Sequence, residues 1–295
     1  MMPMIHEKEI TLRYIRKRRC ASGGYCFYQL DEPNAGDTFY ALASLATLGA
    51  LPDNDDATLS YLHTFQHPDG RYSNVNVGHA VIRSLNLLGE RPHIDPAGWI
   101  LSSLLPPGDS TRPVESSSLF EHLYLLTDLC TLLGIAIPTD KKAEIISAVL
   151  RYRHPDTGFG HPHSMIIETA HAHAILAALD YPVSSTGSTE FLKRCEDPTY
   201  GFLAVPATKP TYLEHVHAGV LACLVLGYHS PVFAQCEEFI RKCCRENGGY
   251  VRSIFGGSPT LENTYLALDA MTMIGQMSKA PSRRQDADNP LRCCD

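Results

Sequence analysis

Hydrophobic residues recur along the chain in segments of two kinds, both with helical spacing. One kind is apolar nearly all round and ends near glycine or aspartate; these segments span 36–49, 76–89, 121–134, 167–180, 214–227 and 262–275. The other kind carries apolar residues on one stripe and spans 56–66, 141–153, 186–195 and 231–244. A helix that is apolar all round must be covered on every side, whereas a one-striped helix keeps one face in water. The pattern therefore predicts buried inner helices and partly exposed outer helices.

The spacing of the inner segments predicts how these helices are assembled. Their last residues lie 40, 45, 46, 47 and 48 positions apart, a near-constant period that is typical of stacked helical hairpins. Glycine and aromatic turns precede all but the third segment, as in Gly23-Gly24-Tyr25 and Asn247-Gly248-Gly249-Tyr250. Six such hairpins that curve consistently close into a ring, with the inner N-termini at one mouth. One domain over residues 1–276 and a disordered polar tail over 277–295 are expected.

Composition and charge exclude several classes of protein. The formal net charge is −7 and the basic residues are scattered, which argues against a nucleic-acid partner. No apolar run reaches the roughly 18 residues of a membrane span, and the N-terminus lacks the apolar core of a signal peptide. The sequence therefore predicts a cytoplasmic protein without a membrane span.

Three segments resemble known repeats. Residues 22–49 (SGGYCFYQLDEPNAGDTFYALASLATLG) and 245–275 (RENGGYVRSIFGGSPTLENTYLALDAMTMIG) resemble repeats of protein farnesyl- and geranylgeranyltransferase β subunits. Residues 59–72 (LSYLHTFQHPDGRY) resemble a repeat of squalene and oxidosqualene cyclases. The resemblance covers about residues 5–276. It implies an all-α fold, an α/α toroid of six hairpins, with a central cavity for an isoprenoid diphosphate or other terpenoid substrate. It also implies the possibility of a helical-repeat partner subunit.

The residues that carry chemistry in those families are only partly present. The zinc-ligand positions of the transferases align with Glu214, Val216 and Asn263, which departs from the family at two of three ligands. Lys209 is the only counterpart of the cations that hold a diphosphate. The acidic string Asp53-Asn54-Asp55-Asp56 matches the cyclase box literally, but it precedes an outer helix and is expected to form an N-cap and a solvated turn.

Histidines at the starts of the inner segments offer a different site. A closed ring would gather His79, His122, His171, His173, His215 and His217 near one mouth, beside Glu121, Glu168, Glu214 and Glu262. Imidazole and carboxylate together suit zinc or another divalent metal. His171, Glu214 and His217 are the predicted metal ligands, and Glu214, Glu262 and His215 the candidate catalytic residues. The alternative is that these residues cap helices and bond to each other or to the backbone.

Further polar and aromatic residues are predicted deeper in the ring. Arg83, Asp128 and Asp269 lie halfway along the inner helices, where Arg83 is expected either to pair with Asp128 or to anchor a phosphate or carboxylate. The residues predicted to bind substrate are Lys209, Arg83, Tyr40, Tyr124 and Tyr265. In a terpenoid cavity, aromatic faces would stabilise carbocation character; ordinary core packing is the alternative.

Three functions compete at this point. The leading hypothesis is an isoprenoid-processing enzyme that transfers a prenyl group from an allylic diphosphate with the help of a metal. The second is a terpene cyclase in which Glu262 or Glu214 is the general acid, kept protonated by an apolar cavity. The third is a non-catalytic toroid that binds a lipid or a protein.

Overall fold

The computed structural model describes residues 5–27, 32–52, 55–104 and 118–279. Twelve α-helices account for most of these residues. They are α1 Ile5–Arg16, α2 Ala35–Thr47, α3 Asp56–His63, α4 Val75–Leu87, α5 Ala97–Ser103, α6 Leu119–Leu133, α7 Thr139–Leu150, α8 Ile166–Ala178, α9 Thr189–Cys195, α10 Leu213–Leu226, α11 Phe233–Cys243 and α12 Leu261–Lys279. A 3-10 helix (Val183–Thr186) and two short antiparallel strands, β1 (Glu196–Asp197) and β2 (Gly201–Phe202), complete the described elements.

The even-numbered helices form a closed inner ring. Contacts run from α2 to α4, α6, α8, α10 and α12 in turn, and α12 packs against α2. Each inner helix begins within two residues of its predicted start, because the all-round apolar pattern sets in where the helix enters the core. The predicted α/α toroid of six hairpins is thus confirmed, with α1, α3, α5, α7, α9 and α11 as the outer layer.

The glycine and aromatic turns connect the outer and inner helices of one hairpin and pack against the next hairpin. Gly23, with φ of 96°, lies so close to α3 that a Cβ there would be 2.3 Å from the carbonyl carbon of Ala57. At the other end of the chain, a Cβ on Gly248 would be 2.5 Å from the carbonyl carbon of Ile10 in α1. The sixth hairpin therefore docks onto the first helix, which closes the outer layer as well.

Buried threonines hold three of these turns against the inner helices. Thr169 of α8 accepts a hydrogen bond on Oγ1 from the backbone N–H of Phe159, at 2.9 Å. Thr38 of α2 receives the same bond from Tyr25 at 3.0 Å, and Thr264 of α12 from Tyr250 at 3.2 Å. Each bond satisfies a buried N–H and fixes an aromatic side chain that packs between the layers.

Thr169→Val is expected to lower the free energy of unfolding by about 1–3 kcal/mol, because the Phe159 N–H loses its acceptor in a buried site. Thr169→Ser keeps the hydroxyl and should lose much less. Urea unfolding followed by circular dichroism measures both variants. Equal losses for serine and valine would mean that the methyl group of Thr169, and not the hydrogen bond, stabilises this turn.

The last helix ends slightly beyond the predicted boundary of the domain. α12 runs to Lys279, a few residues past the predicted boundary at 276. Residues 280–295, with the adjacent cysteines Cys293 and Cys294, lie outside the described residues, as does the third turn, Pro106-Pro107-Gly108. Within the described ranges, no helix is both long and apolar enough to cross a membrane.

Candidate functional site

Each inner helix turns one stripe of side chains toward the middle of the ring. On α6 the stripe contains Glu121, Tyr124 and Asp128, and on α12 the matching positions are Glu262, Tyr265 and Asp269. Residues three and seven apart lie on one helical face. Since α6 and α12 lie on opposite sides of the ring, the electrostatic coupling between Tyr124 and Asp269 shows that both side chains point inward.

Aromatic rings one turn below the mouth form a belt to which all six inner helices contribute. The aromatic belt consists of Phe39, Tyr40, His79, Tyr124, His171, His217 and Tyr265. Tyr40 stacks on Tyr265 with ring centroids 5.6 Å apart, and Tyr124 stacks on His171 at 4.5 Å. Most of these side chains keep some solvent-accessible surface, although they lie inside the ring, so they line an open space and do not fill a solid core.

Burial keeps three members of the belt, Tyr124, Tyr265 and His171, uncharged. It raises the pKa of Tyr124 and of Tyr265 well above the usual range for tyrosine. It also lowers the pKa of His171 to about 4, with a smaller contribution from nearby His217. At physiological pH, Tyr124, Tyr265 and His171 therefore present uncharged π faces to the cavity.

Two histidine–aspartate pairs connect the aromatic belt to aspartates that lie one helical turn further from the mouth. His79 Nε2 is 2.7 Å from Asp128 Oδ2, and His217 Nε2 is 2.8 Å from Asp269 Oδ2. Asp128 also faces Arg83, whose Nη1 is 3.5 Å from Oδ1. These interactions lower the pKa of Asp128 against the opposing effect of burial, so it is held as a carboxylate. Arg83 thus has the aspartate partner that its spacing suggested.

The mouth itself is rich in carboxylates. An acidic residue occupies the first turn of every inner helix except α4; these residues are Asp37, Glu121, Glu168, Glu214 and Glu262. Partial positive charge at the helix N-termini helps to hold them there. Glu262 lies among the others and is exposed at the mouth. Partial desolvation and the negative charges of Glu214, Asp37 and Glu121 raise its pKa, although Arg252 opposes this. Burial and the negative charge of nearby Glu262 raise the pKa of Tyr40 above the usual range for tyrosine.

The predicted metal ligands have separate partners. Arg252 donates from Nε to Glu214 Oε1 at 2.7 Å, His217 bonds to Asp269, and His171 stacks on Tyr124. In the part of the chain that the structure describes, no three or more His, Cys, Asp or Glu side chains come together as a metal site. The sequence identified residues that face one cavity, and zinc or another divalent metal stays a prediction.

Two other predicted site residues are held by the backbone or by an ion pair. His215 is buried, and its Nδ1 accepts a hydrogen bond from the backbone N–H of Tyr212 at 3.2 Å, so it caps α10. Lys209 Nζ lies 3.0 Å from Asp197 Oδ2. These contacts favour structural roles for both side chains.

Two further histidines and the acidic string lie away from the cavity or have local partners. His122 bonds to the carbonyl of Ser103 in the outer layer. His173 is fully buried between Thr169 and Thr186. In the acidic string, Asp55 caps α3 by accepting from the N–H of Thr58, as predicted, while residues 53 and 54 lie outside the described ranges.

Comparison with known proteins places this cavity in a family. The family model described as the prenyltransferase alpha-alpha toroid domain matches residues 3–85 and 101–290. The chain belongs to the prenyltransferase α-α toroid family. No curated protein is similar to it in sequence.

Solved structures resemble this toroid over nearly its whole length. Candida albicans protein geranylgeranyltransferase-I, complexed with GGPP, is 15% identical with a TM-score of 0.67, over 90% of each chain. A type II terpene cyclase from Scytonema, in complex with its substrate geranylgeranyl dihydroxybenzoate, is 12% identical with a TM-score of 0.61, over 92% of this chain and 97% of that one. A protein from Actinoplanes is 16% identical with a TM-score of 0.52, over 92% and 99%. At these identities the likeness concerns the fold of the toroid.

Proposed function

We propose that this toroid is an isoprenoid-processing enzyme of the cyclase type, in which Glu262 donates the proton that starts the reaction. The observation that carries the proposal is the position of Glu262 at the mouth, where partial desolvation and three other carboxylates raise its pKa while the side chain stays in contact with solvent. A carboxyl group with a raised pKa keeps its proton closer to neutral pH, which is what a general acid requires. The resemblance to a type II terpene cyclase in fold agrees with this reading.

The charges at the mouth favour protonation over the transfer of a prenyl group from a diphosphate. A diphosphate would face Glu121 and Glu214, and like charges repel in a partly desolvated site. Both predicted cationic anchors already face aspartates, since Lys209 pairs with Asp197 and Arg83 with Asp128. A neutral isoprenoid chain meets neither obstacle. Metal-assisted transfer therefore ranks second, and it retains the support of the family and of geranylgeranyltransferase-I in fold.

The proposed first step balances as a proton transfer. Glu262 gives its proton to the terminal double bond of the isoprenoid; a C–H bond forms, the π bond breaks, and Glu262 becomes a carboxylate. The tertiary carbocation that results is attacked by the next double bond, and this closes a ring. The uncharged faces of Tyr124 and Tyr265 lie one turn below, where cation–π attraction would stabilise the positive charge. Loss of a proton from carbon then restores the overall composition.

Incubation in D₂O with geranylgeranyl dihydroxybenzoate and, separately, geranylgeranyl diphosphate tests this function. We expect at least one of the two to give a cyclic isomer with one deuterium on carbon, detected by mass spectrometry, because the Glu262 proton exchanges with solvent at the mouth. Diphosphate should stay attached to the second substrate. Release of inorganic diphosphate without deuterium in the carbon skeleton would support prenyl transfer and contradict the acid mechanism. A partner subunit and a cytoplasmic location stay predictions.

A further inference from the structure

The polar groups inside the ring are arranged about an approximate two-fold axis. α4 and α6 lie across the ring from α10 and α12. His79 bonds to Asp128 across the first pair of helices, as His217 bonds to Asp269 across the second. In both pairs the carboxylate accepts from Nε2–H, so Nδ1 is the ring nitrogen left to meet a ligand, and it accepts a hydrogen bond when the imidazole is neutral. Neither Nδ1 has a hydrogen-bond partner among the described residues.

One residue breaks this symmetry. Arg83 follows His79 by four residues, whereas Leu221 stands at the same place after His217. Arg83 makes a long contact with Asp128, 3.5 Å from Nη1 to Oδ1, and its guanidinium carbon lies 5.9 Å from the centroid of the Phe39 ring; its side chain is 34% exposed. A guanidinium has five N–H donors, so most of them have no acceptor in the described part of the chain. Of the two pairs, only His79 with Asp128 therefore offers a ligand both an acceptor, Nδ1 of the histidine, and the nearby N–H donors of Arg83.

This combination matches one kind of ligand group. His79 and Arg83 are one turn apart on α4, and both contact the same carboxylate, so their free acceptor and donors lie close together. A hydroxyl group can donate to Nδ1 and accept from the guanidinium at once. An ether oxygen can only accept, and a carboxylate would bring a second negative charge next to Asp128.

We infer that His79, Arg83 and Asp128 form a binding site for a hydroxyl group of the isoprenoid ligand. Arg83 is seven residues after Asn76, which starts its inner segment as Glu121 and Glu262 start theirs at the mouth, so at 1.5 Å per residue it lies about 10 Å below the mouth. The hydroxyl end of the ligand thus enters first and leaves the hydrocarbon end near Glu262. The isoprenoid nature of the ligand rests on the proposed function, whereas the preference for a hydroxyl rests on these three residues.

Calorimetric titration with unreactive probes tests the inference on the full chain. The probes are a fully saturated isoprenoid alcohol, its methyl ether and the corresponding carboxylic acid. We expect the alcohol to bind about tenfold more tightly than the ether, which is the usual value of one or two hydrogen bonds in a partly buried site. Arg83→Leu copies the residue at the equivalent position, Leu221, and His79→Phe keeps an aromatic ring; each should abolish most of this preference. His122→Gln, on the face of α6 that contacts the outer helix α5, should leave it intact.

Three results would overturn the inference. They are equal affinities for alcohol and ether in the native protein, a preference for alcohol that survives both Arg83→Leu and His79→Phe, and tightest binding of the carboxylic acid. Saturated probes cannot be protonated on carbon, so binding does not depend on Glu262 as an acid. A hydroxyl preference without any cyclisation of unsaturated substrates would refute the proposed function alone, and cyclisation without the preference would refute this inference alone.

Discussion

Glu262→Gln is expected to lower the rate of the proposed cyclisation by about 10²–10⁴-fold, the usual contribution of a general acid. Glutamine has nearly the same size and keeps a carbonyl oxygen that can accept hydrogen bonds, but it has no acidic proton to give. Deuterium incorporation and turnover, measured together on the same samples, test this expectation. Glu190→Gln is the matched control, because Glu190 pairs with Lys193 on the surface of α9 and should change neither quantity.

The same substitution should also make the protein more stable at neutral pH. The folded-state pKa of Glu262 is raised, so the folded protein binds this proton more tightly than the unfolded chain does. The favourable contribution is fully present below the unfolded pKa of glutamate and is lost as the pH rises through the higher folded pKa. Glutamine stays neutral and avoids this loss, so its urea midpoint should exceed that of the native protein at pH 7 and match it more closely in acid.

The pH dependence of the rate follows from the same pKa. Protonated Glu262 is the active form, so the rate should be highest in acid and fall as the pH rises through the folded pKa. A rate that increases with pH across this range would mean that Glu262 acts as a carboxylate, which contradicts the mechanism. Unchanged turnover in Glu262→Gln would do so directly.

The fold could be read from the sequence because its determinants are local and repeated. A helix that is apolar all round has to be an inner helix, and the period of the repeat fixes the hairpin. The repeat also predicted which side chains share a face of the inner helices: Tyr124 and Tyr265 fall at equivalent positions of their segments, and both line the cavity. The close placement of Arg83 and Asp128 followed from the same register.

The partners of the mouth residues could not be read in this way. Glu214 forms an ion pair with Arg252, which lies 38 residues further on, in the loop before the next inner helix. Lys209 is taken by Asp197 of a short strand that the helical pattern does not contain. Such pairings depend on loop conformations and side-chain rotamers, which carry no periodic signal.

One acidic residue of the mouth was missed for a specific reason. The first inner segment starts at Gly36, whereas the third, fifth and sixth start at Glu121, Glu214 and Glu262; in the first helix the carboxylate comes one residue later, at Asp37. The available signal was the N-cap: Asn34 accepts the N–H of Asp37 at 2.8 Å, the usual spacing between a capping residue and the first turn. Searching each first turn for any acidic residue would have found it.

Gly248→Ala should lower the free energy of unfolding by about 3 kcal/mol or more, a large share of the 5–15 kcal/mol typical of a domain. The backbone at Gly248 has φ of 86°, which is strained for alanine, and the new Cβ would lie 2.5 Å from the carbonyl carbon of Ile10. Because both obstacles are backbone, α1 must move away from the last turn. Urea unfolding measures the loss, and limited proteolysis should show earlier cleavage within α1.

Two other glycine substitutions serve as references for Gly248→Ala. Gly275→Ala lies within α12 with no atom inside 4 Å of the new Cβ, so it should stabilise the helix by about 0.5–1 kcal/mol and serve as the control for glycine replacement as such.

Gly23→Ala repeats the backbone conflict at an internal turn, 2.3 Å from the carbonyl carbon of Ala57. In a closed ring no turn is terminal, so Gly23→Ala and Gly248→Ala should cost similar amounts. In an open arc the contact between the last turn and α1 would fray, and Gly248→Ala would cost little. A small loss there, beside a large one at Gly23, would therefore contradict ring closure, on which the convergence of the mouth residues depends.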